Sequence, residues 1–278
     1  MCIRDSNRMK YLIGILTLVA IISAAQSASF SYTAQDEWPG ICVTGNTGRQ
    51  SPINIITDDV EEDDDKLTAL KFNSDYTSQI DGEFENTCQN VEFTPASSVN
   101  AIMTTPVGKY KFKQFHFHWG AKAGEGTEHL VDGVAEEFEV HFVHEKIGGS
   151  AGDPDFNAVL AVRGKKSSQP IGGIFEELDA SQITEVDAKI DVEVVMSDLF
   201  PSNLDYYFYE GSLTTPNCDE TVQWFVLKNT IKVPKAYLND LRKIEMDEAG
   251  NLLTFNFRDT QDLNNREVLC FEEDDVSL

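Results

Sequence analysis

The chain has 278 residues, of which 41 % are hydrophobic, and this length and composition suit one large globular domain or two small ones. Its 47 acidic residues outnumber its 22 basic ones and give a formal net charge of −25. An excess of negative charge this large argues against nucleic acid and anionic membranes as partners, and it is consistent with a highly soluble protein.

The N-terminus has the pattern of a secretory signal peptide. Lys10 precedes an apolar run over residues 11–22, which is too short to span a membrane comfortably, and small residues follow. We therefore predict that residues 1–28 are a signal peptide, with cleavage after Ala25 or Ser27. Residues 1–8 have no place in such a signal, and we interpret them as an artefact of gene prediction, with Met9 as the true start.

The predicted mature chain, residues 29–278, is expected to be secreted or periplasmic. Its C-terminus has no apolar tail, so we expect no membrane anchor there. Export allows disulfides to form, and this part of the chain has four cysteines: Cys42, Cys88, Cys218 and Cys270. Their spacing alone does not determine how they pair.

Strand patterns dominate the mature chain. The acidic stretch at 57–66 is interpreted as a solvated loop in preference to a weak cation-binding patch. After it, short runs of β-branched and aromatic residues alternate with turn signals. Helical patterns are confined to residues 170–180 and 233–247, the second with Pro234 near its first turn. The pattern predicts a single, mainly β domain with mostly antiparallel strands and a few short surface helices.

The segment QFHFHWG, residues 114–120, contains two of the five histidines in the chain. Because side chains alternate along a strand, His116 and His118 share one face with Gln114, and the aromatic residues between them point to the other face. Buried polar groups on such a face need partners. The two histidines therefore either fill a core or hold a ligand.

The segment EFEVHFVH, residues 137–144, places Glu139 and His141 on one face of a second predicted strand. If the two strands are antiparallel neighbours, His141 meets His116 and His118. Three neutral imidazoles with a fourth position open are the pattern of a catalytic zinc site. Gln114 and Glu139 each precede a histidine by two residues on the same face, so each can orient a ligand imidazole through its second nitrogen.

Several segments together resemble the α-class carbonic anhydrases. They are RQSPINI (49–55), the two histidine segments with GTEHLVDG (126–133) between them, YEGSLTTPNCDETVQWFVL (209–227) and NREVLCF (265–271). The resemblance extends from about Tyr32 to Phe271. It implies the α-carbonic anhydrase fold, with a large, mostly antiparallel twisted central sheet, and zinc-dependent reversible hydration of CO2 to bicarbonate and a proton by zinc-bound hydroxide.

The resemblance also implies roles for individual residues. His116, His118 and His141 would bind Zn2+. Thr214 would accept a hydrogen bond from zinc-bound hydroxide while donating its own proton to Glu128, which fixes the direction of the hydroxide. The implied substrate-binding residues are Thr215, beside Thr214, and an apolar wall for CO2 formed by Val143, Val159, Leu213, Val222 and Trp224, residues that ordinary core packing would also explain.

Other implied features concern stability. The resemblance assigns a disulfide between Cys42 and Cys218, which would stabilise the fold by roughly 3–5 kcal/mol in the chain-entropy treatment. Cys88 and Cys270 are not assigned, and they either pair with each other or stay free. The bond between Ser51 and Pro52 resembles a cis bond of the family. The two remaining histidines, His129 and His144, are interpreted as buried and hydrogen-bonded.

The sequence departs from the family at two positions. Thr87 lies where fast members carry a histidine that exports protons, so we predict a slower enzyme that added buffer accelerates, with Glu85 as a poor substitute. Asn217 follows Pro216 where the family usually has a second proline at a cis bond, and the backbone either differs here or keeps the cis bond.

Two other classes of function remain as alternatives. A catalytically silent binding module related to the family usually lacks a zinc ligand, whereas all three are present here. A secreted acidic scaffold would suit the net charge, but the acidic residues are scattered without repeats. The expected partners are CO2, water and bicarbonate, and the expected assembly is a monomer or homodimer.

Overall fold

Strands dominate the part of the chain that the structure, a computed structural model, describes: residues 30–42, 48–63 and 65–273. The predicted signal peptide lies outside the described residues. The strands in chain order are β1 (Asn54–Ile55), β2 (Glu61–Glu62), β3 (Lys71–Phe72), β4 (Ile80–Asn86), β5 (Val91–Pro95), β6 (Ile102–Thr105), β7 (Gly108–Trp119), β8 (Leu130–Val131), β9 (Phe138–Lys146), β10 (Asn157–Ser167), β11 (Lys189–Val194), β12 (Tyr206–Gly211), β13 (Val222–Leu227), β14 (Ile231–Pro234) and β15 (Leu269–Phe271).

One large sheet organises the described chain. Its order is β11-β4-β5-β7-β9-β10-β13-β12-β15-β2, with β6 and β3 added beside β7 and with β14 added beside β10. Most pairs are antiparallel, but β10–β13, β10–β14 and β15–β2 are parallel, as is the separate pair β1–β8. The prediction of a mainly β single domain is confirmed, and the sheet is mixed rather than purely antiparallel.

The two faces of the central strands differ in chemistry. On one face, rings of strands β7 and β9 pack into the main apolar core, where Phe115, Phe117 and Phe142 are fully buried. Full burial of each such ring contributes about 1.5–3 kcal/mol. On the other face lie the histidines of the same two strands, so the sheet itself separates the core from the candidate site.

A β-bulge at Lys113 determines which side chains of strand β7 face the core. The register with β9 shifts between Phe112 and Gln114, which leaves Lys113 as the extra residue. Lys113 is exposed and pairs with Glu145 at 3.1 Å. Because of this extra residue, Phe112 and Phe115 both reach the apolar core although they are three residues apart. Strict alternation along residues 108–119 therefore does not hold.

The helices are shorter than predicted. Helix α1 (Ile174–Glu177) begins after Gly173, whose φ of 58° no helix adopts. Helix α2 (Lys235–Leu241) begins directly after Pro234 and packs Tyr237, Leu238 and Leu241 into the core. Among the described residues, no helix is long and apolar enough to cross a membrane.

The disulfide and the cis peptide bonds agree with what the resemblance implies for these positions. Cys42 and Cys218 form a disulfide. Cys270 is a free buried thiol, so the pairing of Cys270 with Cys88 that the sequence left open is wrong. The peptide bonds Ser51–Pro52 and Pro216–Asn217 are both cis, so the backbone keeps the cis bond although asparagine replaces proline.

Candidate metal centre

Three histidines converge at one point of the sheet. Strands β7 and β9 are antiparallel neighbours, and their register places His116 directly opposite His141, with His118 two residues further along β7. One ring nitrogen from each histidine lies within 4.8 Å of the other two. His116, His118 and His141 are 9 %, 0 % and 1 % exposed, so the three imidazoles are shielded from bulk solvent.

In each of these histidines one ring nitrogen donates to an oxygen. His116 Nδ1 donates to Gln114 Oε1 at 2.8 Å, His118 Nδ1 to the carbonyl oxygen of Asn256 at 2.7 Å, and His141 Nε2 to Glu139 Oε1 at 2.7 Å. These oxygens only accept, so each contact fixes the N–H and leaves a lone pair on the second nitrogen. The lone pairs lie on Nε2 of His116, Nε2 of His118 and Nδ1 of His141.

These lone pairs fit a metal ion. His118 Nε2 and His141 Nδ1 are 3.1 Å apart, and neither has a hydrogen to share with the other. Two facing lone pairs repel unless a cation lies between them. A tetrahedral zinc ion with bonds of about 2.0–2.1 Å holds its ligand nitrogens about 3.3 Å apart. The donor set and its spacing therefore suit zinc.

Burial keeps the three imidazoles neutral. It lowers the pKa of His118 to about 4, and it also lowers the pKa of His116 and of His141. The neighbouring histidines add to the lowering at His116 and His141. Metal ligands must be unprotonated, so the site is prepared for a cation at neutral pH.

Glu139 joins the centre to a second buried histidine. Its Oε1 accepts from His129 Nδ1 at 2.6 Å and its Oε2 accepts from the His129 amide at 3.0 Å. His129 Nε2 lies 2.7 Å from the hydroxyl of Tyr209. Burial acts to raise the pKa of Glu139, but the contacts with His129 and His141 outweigh it and hold that pKa well below its usual range. Glu139 is therefore a carboxylate acceptor behind His141.

Glu128 lies beside the same point. Its carboxylate oxygens are 3.6 Å from His118 Nδ1 and 3.9 Å from His141 Nδ1. Oε1 accepts the backbone N–H of Arg258 at 2.8 Å, while Oε2 has no hydrogen-bond partner in the described part of the chain. Burial raises the pKa of Glu128 to about 7, and His141 and the Thr214 hydroxyl act in the opposite direction. Thr214 thus lies close to Glu128 without closing a full hydrogen bond to Oε2.

The loop that carries Thr214 is held at both ends. The amide of Leu213 donates to the carbonyl of Asp219 at 3.0 Å, and the amide of Cys218 donates to the carbonyl of Thr215 at 2.8 Å. Trp224 Nε1 donates to the carbonyl of Ser212 at 3.1 Å. With the disulfide at Cys218, these contacts fix the position of Thr214 and Thr215.

The five apolar residues predicted to form a wall belong to one cluster. Val143 lies opposite Val159, and Val159 lies opposite Trp224, on adjacent strands. Val159 and Trp224 belong to a buried apolar cluster that is separate from the main core. Val222 belongs to the same cluster, and Val143 and Leu213 pack against it. The indole of Trp224 meets the His141 ring edge-on with centroids 4.8 Å apart. An apolar surface therefore borders the histidines on the side of β10 and β13.

The opposite border is polar. Glu92 on β5 lies directly opposite His116, and burial, followed by the charge of Glu85, raises its pKa to about 7. Thr87 lies nearby on the chain, where its hydroxyl is 2.7 Å from Asn90 Oδ1 and also accepts the Asn90 amide at 3.1 Å. The Thr87 hydroxyl is therefore occupied by local hydrogen bonds.

Sequence reasoning missed the acceptor of His118 and the support of Glu128. His118 donates to a backbone carbonyl 138 residues away, at Asn256, whose side chain also bonds to strand β7 through the carbonyl of Phe117 and the amide of Trp119. Arg258 is buried, and its guanidinium donates to the carbonyls of Ser51 and Cys42. No local signal marks these residues, because every residue carries a carbonyl and an amide.

Comparison with known proteins agrees with this geometry. A profile of the eukaryotic-type carbonic anhydrases matches residues 33–272. The chain therefore belongs to the eukaryotic-type carbonic anhydrase family, and the prediction that it is a carbonic anhydrase enzyme is confirmed.

Individual relatives point the same way. The chain is 35 % identical to carbonic anhydrase 6 of Bos taurus over 79 % of this chain and 72 % of that protein. It is 29 % identical to carbonic anhydrase 4 of Rattus norvegicus over 94 % and 90 % of the two chains. It is 32 % identical to a putative carbonic anhydrase 3 of Caenorhabditis elegans over 86 % and 96 %.

Proposed function

We propose that the protein catalyses the zinc-dependent reversible hydration of CO2 to bicarbonate and a proton. The observation that carries this proposal is the convergence of three lone pairs on His116, His118 and His141, each fixed by an acceptor behind it. Zinc held there lowers the pKa of a water molecule and so supplies a nucleophile near neutral pH. The neutral histidines leave the full charge of the ion available for this effect.

Thr214 and Glu128 orient the attacking oxygen in the proposed reaction. Glu128 Oε2 is buried and lacks a donor, and the Thr214 hydroxyl is the group beside it that can donate. A hydroxyl that donates to a carboxylate turns its own lone pairs the other way. Thr214 Oγ1 therefore accepts from an attacking oxygen and selects its orientation, and the neighbouring Thr215 lies where a product anion can bind.

The apolar cluster supplies a place for CO2. Val143, Val159 and Trp224 present no hydrogen-bonding group to a linear, uncharged substrate, apart from the indole N–H that is already bonded to Ser212. Bicarbonate is charged and is poorly accommodated by such a surface. The arrangement favours binding of CO2 beside the centre and departure of bicarbonate from it.

Proton export limits the proposed turnover. The hydroxyl of Thr87 has no acid–base function near neutral pH and is already bonded to Asn90. All five histidines are accounted for, three at the centre and two buried at His129 and His144. We therefore infer that the enzyme is slower than relatives with a histidine shuttle and that added buffer accelerates it.

We also infer that the protein acts outside the cytoplasm. The disulfide between Cys42 and Cys218 is typical of an oxidising compartment. The predicted signal peptide leads to the same conclusion. We further propose that residues 29–278 form the catalytic domain and that its substrates are CO2, water and bicarbonate.

Stopped-flow CO2 hydration on the purified mature chain tests the function. Activity should disappear when a chelator removes zinc, return with stoichiometric zinc, and rise with buffer concentration. The variant His118→Asn, which replaces a ligating imidazole with a shorter amide, is the matched negative control. A chain that binds zinc without hydrating CO2 would instead be a binding module, and the proposal would be wrong.

A further inference from the structure

A row of acid–base side chains crosses the sheet from the metal centre to its edge. Glu92 on β5 lies directly opposite His116 on β7, Glu85 on β4 lies opposite Glu92, and Lys189 on β11 lies opposite Glu85. Strand β11 is the outermost strand of the sheet. The row therefore links a proposed zinc ligand to the solvent-exposed margin of the sheet.

All members of this row point to one side of the sheet. Residues directly opposite each other in antiparallel strands present their side chains on the same face, and strands lie about 4.8 Å apart, so Glu85 is about 10 Å from the strand of His116. One or two hydrogen-bonded waters bridge such a distance. The row lies on the polar border of the centre, opposite the apolar cluster.

Glu85 is the member of the row that is free to exchange protons with solvent. It is half-buried, and among residues 30–42, 48–63 and 65–273 no side chain bonds to its carboxylate. Lys189, the cation that faces it, instead bonds to Glu83 Oε2 at 2.8 Å. The carboxylate can rotate, whereas the nearby hydroxyl of Thr87 is held by Asn90.

We propose that Glu85 takes up the proton that each hydration releases and passes it to external buffer, an inference that rests on the proposed function. In this step the Glu85 carboxylate gains one proton to become a carboxylic acid, and a buffer base then removes it. Glu92 on β5 and Lys189 on β11 face Glu85 from the two neighbouring strands, and Asp191 lies two residues from Lys189 on β11. Carboxylates in general relay protons near neutral pH less efficiently than imidazoles, so the route is slow.

The test compares two neutralised acidic side chains of the same strand. Glu85→Gln should lower CO2 hydration about tenfold at low buffer concentration and leave it unchanged at saturating buffer, where external bases remove the proton directly. The control is Asp81→Asn, which removes the same charge from the same strand. Asp81 is exposed, lies opposite Glu193 at the other end of β4, and its carboxylate bonds to no side chain in the described part of the chain, so the activity of this variant should follow the wild type at every buffer concentration.

A second variant is expected to raise activity instead of lowering it. Glu85→His puts a group with a pKa near neutrality at the same place, so hydration at low buffer should rise above that of the wild type. Zinc affinity, measured by competition with a chelator, should be equal in the wild type and all three variants, since the row does not include the ligands' hydrogen-bond acceptors.

The outcomes separate this inference from the proposed function. The inference is overturned if Glu85→Gln matches the wild type at low buffer, if its loss persists at saturating buffer, or if its zinc affinity falls in parallel. Equal losses in Glu85→Gln and Asp81→Asn also overturn it, because charge alone then explains both. A wild type without zinc-dependent hydration at any buffer concentration would overturn the proposed function itself, and this inference with it.

Discussion

His141 and His144 lie three residues apart on strand β9 and occupy opposite faces of the sheet. Both are buried, and burial lowers the pKa of both. His141 lies beside two other histidines and the ring of Trp224. His144 lies in the aromatic core, hydrogen-bonded to the hydroxyl of Tyr76 and to the carbonyl of Ala158.

The difference between the two histidines is the state of the second ring nitrogen. In His144, Nδ1 donates to Ala158 at 3.1 Å, and Nε2 accepts from the Tyr76 hydroxyl, so no lone pair is left over. In His141, Nε2 donates to Glu139, and Nδ1 faces the lone pair of His118. Burial and neutrality are therefore common to structural and ligating histidines, and an unsatisfied lone pair is what distinguishes a ligand.

The largest expected effect comes from exchanging each of these two histidines for glutamine. His141→Gln should lower zinc affinity and CO2 hydration by at least about 1000-fold, because one of three protein ligands is lost. His144→Gln should bind zinc with the affinity of the wild type at pH 7.5. Metal analysis with chelator competition measures both, and equal zinc loss in the two variants would contradict the distinction between the faces.

A smaller effect is expected at the loop beside the centre. Thr214→Ala should lower CO2 hydration about 100-fold, because it removes a hydrogen-bonding group that orients the reacting oxygen. Zinc content should be unchanged, since the three ligand histidines are held by hydrogen bonds to Gln114, Asn256 and Glu139 and not by Thr214. Thr214→Ser is the matched control and should keep most of the activity because it keeps the hydroxyl beside Glu128. Steady-state CO2 hydration at saturating buffer measures the activity of both variants, and equal losses in Thr214→Ala and Thr214→Ser would contradict a role for the hydroxyl.

The acceptor behind His141 should matter less than the ligand itself. Glu139→Gln keeps a carbonyl oxygen for His141 Nε2 but removes the negative charge that holds His129 and His141 in place. Zinc affinity should fall about 10–100-fold. Competition with a chelator gives the affinity directly. An affinity equal to that of the wild type would mean that the charge of Glu139 does not tune the centre.

The chemistry of the ligating face could be predicted from the sequence, because alternation alone puts His116 and His118 together and because His141 follows on a second strand. The acceptor of His118 could not be predicted, since it is a carbonyl brought from Asn256 by the chain's last segment. Alternation also failed at Lys113, where a bulge inserts one residue. The parallel pairing of β10 with β13 is equally invisible to local pattern, because both strands are buried on both faces.

The smallest effect on the centre is expected from His144, which should act on stability alone. Its pKa is lowered to about 4 by burial, against an ordinary value of 6.5. Between these two values the unfolded chain binds more protons than the folded chain, so folding weakens as the pH falls from 6.5 towards 4 and does not weaken further below 4. This histidine should therefore remove about 2 kcal/mol of stability between pH 7.5 and pH 5.

Urea unfolding of the zinc-free wild type and of His144→Gln at pH 7.5 and pH 5 isolates this contribution, because the protonation of the other buried histidines is common to both proteins. The advantage of the wild type at pH 7.5 should shrink by that amount at pH 5, since the ring must then be buried against its tendency to protonate. A pH-independent difference between the two proteins would mean that His144 titrates alike in the folded and unfolded chains. Neutrality through burial would then be a property of His141 and not of His144.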